Sequence, residues 1–91
     1  MAYVVCDVSK GLRDSERTVA VRDLAGRRQF LRVEHDFRTK ADGKWYLPVG
    51  VVHVSIKGKQ VLIELPHEAD SGANRLWVGT ESLLEPVEAP A

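Results

Sequence analysis

Ninety-one residues suit one domain with one core and leave no room for a second. Thirteen Lys plus Arg balance thirteen Asp plus Glu, which removes any global attraction for nucleic acid or an anionic membrane. The single cysteine, Cys6, excludes an intramolecular disulfide and a thiolate metal cage; with no apolar run near ~18 residues and no export-signal pattern, the expected setting is a reducing, cytoplasmic one without a membrane partner.

Apolar and polar residues alternate with period two in short runs separated by Gly, Asp and Asn, which is the pattern of strands. In the first run, Tyr3 to Val8, the residues Val4, Cys6 and Val8 share one face. Cys6 therefore reads as a small buried hydrophobe. A loop from Ser9 to Arg17 leads to Thr18 to Asp23, with Val19 and Val21 inward, and a turn at Ala25-Gly26-Arg27 returns the chain along Gln29 to Glu34. Pairing Val21 with Leu31 and Val19 with Val33 gives a three-residue connection of the kind that carries a glycine bulge. Thr18, Ala20, Arg22, Phe30, Arg32 and Glu34 then fall on the outer face.

His35 to Lys44 reads as a polar connection ending in the turn Asp42-Gly43, which delivers the chain into Trp45-Tyr46-Leu47-Pro48. Val49 to Ile56 and Val61 to Leu65 form the clearest hairpin. Setting Val52, Val54 and Ile56 opposite Leu65, Ile63 and Val61 leaves Gly58-Lys59 as a two-residue loop with glycine first, as a type II′ turn requires. The same register places His53 opposite Glu64. Pro66 to Asn74 is a polar loop, Arg75 to Val78 a short strand, and Thr80 to Leu84 a single helical turn with Thr80 as its cap. Glu85-Pro86-Val87 extends again, so one domain covers residues 1–88 and residues 89–91 fray.

The expected fold is all-β, a small, partly open barrel of five to six strands with one short 3-10 turn near the C-terminus. The order of its last elements, carried by Arg75-Leu76-Trp77-Val78, Glu81-Ser82-Leu83-Leu84 and Glu85-Pro86-Val87, resembles the SH3-like barrels, a group that includes the KOW, Tudor and PsaE-type domains. The resemblance implies a fold and transfers no binding residues.

Phe37, Trp45, Tyr46 and Trp77 are expected near loops or strand ends, and Phe30 on the outer face of the first hairpin. Adjacent Trp45 and Tyr46 point to opposite sides of a strand, so one ring is left outside, and Trp77 alternates against Leu76 and Val78. These rings make the leading expectation a non-enzymatic interaction module that binds a protein or peptide, or self-associates as a homodimer. The alternative is KOW- or Tudor-like nucleic-acid binding through Arg22, Arg27, Arg28, Arg32 and Arg38, although Asp23, Glu34, Asp36 and Asp42 are interleaved with them. His67, Glu68 and Asp70 match no metal-binding spacing. Ser71 lacks a nucleophile elbow, and nothing joins His35 or His67 to Ser71 or Cys6. No enzyme activity, metal or cofactor is expected.

Overall fold

The computed structural model describes every residue except Met1, Ile56, Gly58 and residues 85–91. Seven strands lie among the described residues: β1 (Ala2–Lys10), β2 (Glu16–Arg22), β3 (Arg28–Glu34), β4 (Thr39–Ala41), β5 (Lys44–Val54), β6 (Gln60–Glu64) and β7 (Arg75–Gly79). Two 3-10 turns, His35–Phe37 and Thr80–Ser82, complete the set. Six strands follow one path in the order β3-β2-β1-β5-β6-β7, and β4 pairs with β5 beside it. The protein is thus all-β, a curled sheet forming a small, partly open barrel.

The curl follows from two long strands that change partners along their length. The first half of β1 pairs with β5 and its second half with β2. Likewise β5 pairs with β1 and β4 over its first half and with β6 over its second. The curl brings distant segments together: Leu24 N–H donates to the Trp77 carbonyl at 2.9 Å, and Asp70 N–H to the Phe30 carbonyl at 2.7 Å. Val4 also bridges to Leu83.

Inside the curl lie Val4, Cys6, Val19, Val21, Leu31, Val33, Leu47, Val49, Val54, Val61, Ile63, Leu65, Leu76 and Val78. Burying side chains such as Leu31, Leu47 and Ile63 contributes roughly 1.5–3 kcal/mol each.

Both hairpin registers differ from the expected ones, each for a physical reason. Val19 pairs with Leu31 and Val21 with Gln29, two residues away from the Val21–Leu31 pairing. The faces are unchanged because the shift is even. Asp23 decides it: its carboxylate accepts from the Arg27 backbone N–H at 3.0 Å and from Gln29 Nε2 at 3.1 Å. The three-residue loop consequently closes over Leu24-Ala25-Gly26, with Gly26 at φ 83°.

In the second hairpin Val51 pairs with Ile63, while His53 pairs with Leu62 and Val54 with Val61, so Val52 occupies a β-bulge. The extra residue switches which positions face inward, from Leu47 and Val49 to Val54. Val52 is therefore not core but 40% exposed. The His53–Glu64 pairing is also overturned: His53 meets the edge of Trp77, and Glu64 lies between Gly50 and Arg75. The expected Gly58 turn and the Glu85 to Val87 segment lie outside the described residues.

Two local corrections complete the comparison. The expected polar connection contains β4, which turns into β5 through Asp42 (φ 51°) and Gly43 (φ 77°), the paired positive values of a type I′ hairpin. The cap of the last 3-10 turn is Gly79, with Thr80 inside the turn.

Candidate functional site

A cleft of about 820 Å³ opens where β1, β5 and β6 adjoin, within the range typical of ligand sites. Alternation builds its floor. Val49 points inward, so Pro48 and Gly50 face out, and Tyr3 is carried beside them by its pairing with Pro48. Glu64 arrives opposite Gly50 on β6. The 3-10 turn at 35–37 supplies Asp36 and Phe37, with Thr39 just beyond, and the following loop adds Pro66 and Asn74.

The polar groups here are largely unengaged. Among the described residues, the side chains of Asp36, Thr39, Asn74 and Tyr3 make no hydrogen bond or ion pair, and Glu64 has only Arg75, whose Nε lies 3.7 Å from Oε1. Phe37 is 41% exposed, its ring stacking on His67 at 6.4 Å between centroids. The lining thus combines open aromatic and proline surface with free hydrogen-bonding groups.

A second cleft, of about 640 Å³, lies between the β2–β3 turn and β7 and behaves differently. Four of its polar residues, Asp23, Arg27, Gln29 and Ser71, bond to one another. Ser71 Oγ donates to Gln29 Oε1 at 2.6 Å, Gln29 Nε2 donates to Asp23, and Arg27 Nε lies 3.2 Å from the same carboxylate. Burial alone would raise the Asp23 pKa, but the hydrogen bonds from Gln29 and Arg27 and the Arg27 charge outweigh it and hold the carboxyl below its ordinary value. This network fastens the Pro66 to Asn74 loop to the hairpin. Ser71 engages an amide, and His35 Nδ1 faces the Ser15 carbonyl at 3.3 Å, an arrangement with no nucleophile–base contact.

The five expected aromatics take different situations. Trp77 and Phe30 are exposed, at 41% and 39%. Arg28 lies over the Phe30 ring at 5.2 Å. Trp45 is half-buried against the core, with the Arg38 guanidinium 3.7 Å from its ring centroid and Lys40 at 5.5 Å. Tyr46 is only 8% exposed, being enclosed between its partners Val5 on β1 and Thr39 on β4, so it offers no ring to a partner.

The arginines are engaged as well. Arg27 pairs with Asp23, Arg28 with Asp7 at 3.4 Å and Arg32 with Asp70. Arg22 donates to the Gly26 carbonyl at 3.1 Å, and Arg38 lies on Trp45 with its Nε buried and without a partner among the described residues. Burial pushes the Cys6 thiol up to about 11, aided by the Asp7 charge against the opposing pull of Arg38. His67, Glu68 and Asp70 do not gather as a metal-binding group; no set of three or more His, Cys, Asp or Glu side chains does so among the described residues. Among those residues no helix is long and apolar enough to cross a membrane.

Tyr3, Pro48, Gly50, Glu64 and Asn74 were not marked as site residues by the sequence pattern. Alternation does place Tyr3, Pro48 and Gly50 outward, but only the β1–β5 pairing puts them side by side. Compared with known proteins, the chain matches no protein-family model, no curated protein and no solved structure.

Proposed function

We propose that this chain is a non-enzymatic interaction module that holds an extended segment of a protein partner in the cleft at the β1, β5 and β6 junction. The observation that carries the reading is the contrast between the two clefts. In one, Asp23, Arg27, Gln29 and Ser71 bond to one another, whereas the other sets free carboxylate, hydroxyl and amide groups around exposed Phe37 and half-buried Tyr3, Pro48 and Pro66. An extended peptide has a backbone to satisfy such groups and side chains to cover such walls.

A nucleic-acid role has less support, because Arg27, Arg28 and Arg32 already face carboxylates. Membership of the SH3-like barrels and a cytoplasmic setting belong to the same proposal. The bridge from Val4 in β1 to Leu83 just after the last 3-10 turn supports the first, and the burial of Cys6, the one cysteine of the sequence, is compatible with the second.

Gly50 provides the direct test. A Cβ added there meets only the Glu64 Cβ, at 3.8 Å, so Gly50→Val places a side chain on the cleft floor without entering the core. Titration with a panel of blocked extended peptides, differing in their central residue, is expected to show binding by the wild type and loss of it in this variant, with the thermal midpoint unchanged or raised. Undiminished binding to the filled cleft would sink the proposal.

A further inference from the structure

Charge around the cleft is one-sided. Asp36 and Glu64 line it, and no lysine or arginine does. The two carboxylates come from different walls, Asp36 from the 3-10 turn and Glu64 from β6. Asp36 has no ion-pair partner among the described residues, and the Glu64–Arg75 contact is solvent-screened, its side chains 46% and 54% exposed. The exposed Phe37 ring adjoins Asp36 in the same lining.

A cation entering between these groups is drawn by two carboxylates and by the negative face of an aromatic ring. A carboxylate entering there meets like charge instead. The apolar walls suit the methylene stem of a long basic side chain, which can cover Phe37 and the prolines while its head reaches the acids. Thr39 and Asn74 supply hydrogen-bonding groups for a peptide backbone.

We infer that the occupant is an extended protein segment bearing a lysine or arginine, with its cationic head between Asp36 and Glu64 and its stem over Phe37. The inference rests on the proposed reading of the cleft as a peptide site, to which it adds the charge preference.

The test uses the full chain, ¹⁵N-labelled, and two blocked extended peptides of alternating Ala and Val, one with a single central Arg and one with norleucine in its place. The Arg peptide is expected to move the amide resonances of Tyr3, Phe37, Gly50 and Asn74. It is expected to bind about fivefold more tightly than the norleucine peptide, the upper end for an exposed ion pair. That advantage shrinks as ionic strength rises, and falls in Asp36→Asn and in Glu64→Gln, both substitutions of solvent-accessible side chains. Equal binding of the two peptides at the cleft overturns the charge preference and leaves the peptide-site reading standing. Movement of no cleft resonance by either peptide removes that reading, and the inference with it.

Discussion

Asp23 is the side chain on which the first hairpin turns. It is buried, with 6% of its side chain exposed, and accepts from Gln29 and the Arg27 backbone. Its folded pKa is below the unfolded one, so the unfolded chain binds the extra proton in acid. The contribution is fully present above the ordinary carboxylate value of about 3.9 and is lost as pH falls through the folded value. Urea unfolding should therefore show stability declining in acid, with a shallower decline for Asp23→Ala. That variant should be less stable by about 1–3 kcal/mol near neutrality because it leaves the Gln29 amide without an acceptor. Cys6 gives the opposite sign. Its thiol is raised to about 11, so the unfolded chain loses its proton first, and the contribution to stability declines as pH rises above about 8.5. Alkylation at about pH 8 should be slow for the native chain and fast in denaturant; equal rates would contradict the buried placement. Alternation along β1 was enough to read Cys6 as inward, whereas Asp23 stood only as the end of a strand and one of the acids among the arginines, because its bond to Gln29 follows from the register of the hairpin, which the pattern leaves open.

At the scale of elements, side-chain parity was legible and register was not. Val19 and Val21 face inward in either pairing of the first hairpin, so the hydrophobic pattern alone cannot choose between registers two residues apart. In β5 the pattern does contain the answer. Leu47 and Val49 occupy odd positions and Val54 an even one, and such a change of phase within one strand requires an inserted residue. Val52→Ser should accordingly change stability by no more than about 0.5 kcal/mol, while Ile63→Ala should cost about 2–5 kcal/mol. Chemical denaturation of the two variants checks this, and similar losses in both would restore an unbulged strand. Asp42-Gly43 also carried a hairpin signal whose first arm, β4, was hidden by its polar composition and three-residue length. Gly43→Ala should destabilise by about 1–2 kcal/mol, the cost of placing a Cβ at this left-handed position, readable as a lowered thermal midpoint.

Across the whole molecule, the site is a product of curvature. The cleft combines Tyr3 near one end of the chain with Asn74 near the other, and only the curled sheet unites them with Asp36, Gly50 and Glu64. Its place in a polar connection marked Phe37 as accessible, but nearness to loops and strand ends gave equal weight to Tyr46, which is buried beside β4, and to Trp45, which Arg38 covers. Electrostatics behave similarly: the basic residues of the first hairpin look like a patch along the chain and become ion pairs once Asp7, Asp23 and Asp70 reach them. Titration with single-stranded RNA should therefore show little binding even at low salt; strong, salt-sensitive association lost in Arg27→Ala would shift the account toward the arginine surface.

Phe37 and Trp77 are equally exposed, at 41% each, yet only Phe37 lines the cleft with the free polar groups. The most direct measurement is the affinity of Phe37→Ser and Trp77→Ser for an extended peptide that binds the unmodified chain, with folding of each variant checked by its thermal transition. Loss of binding at least tenfold in the first and less than twofold in the second is the outcome expected, roughly the range between a central contact and a peripheral one. The reverse order, with Trp77→Ser abolishing binding and Phe37→Ser retaining it, would contradict the assignment of the cleft as the binding site.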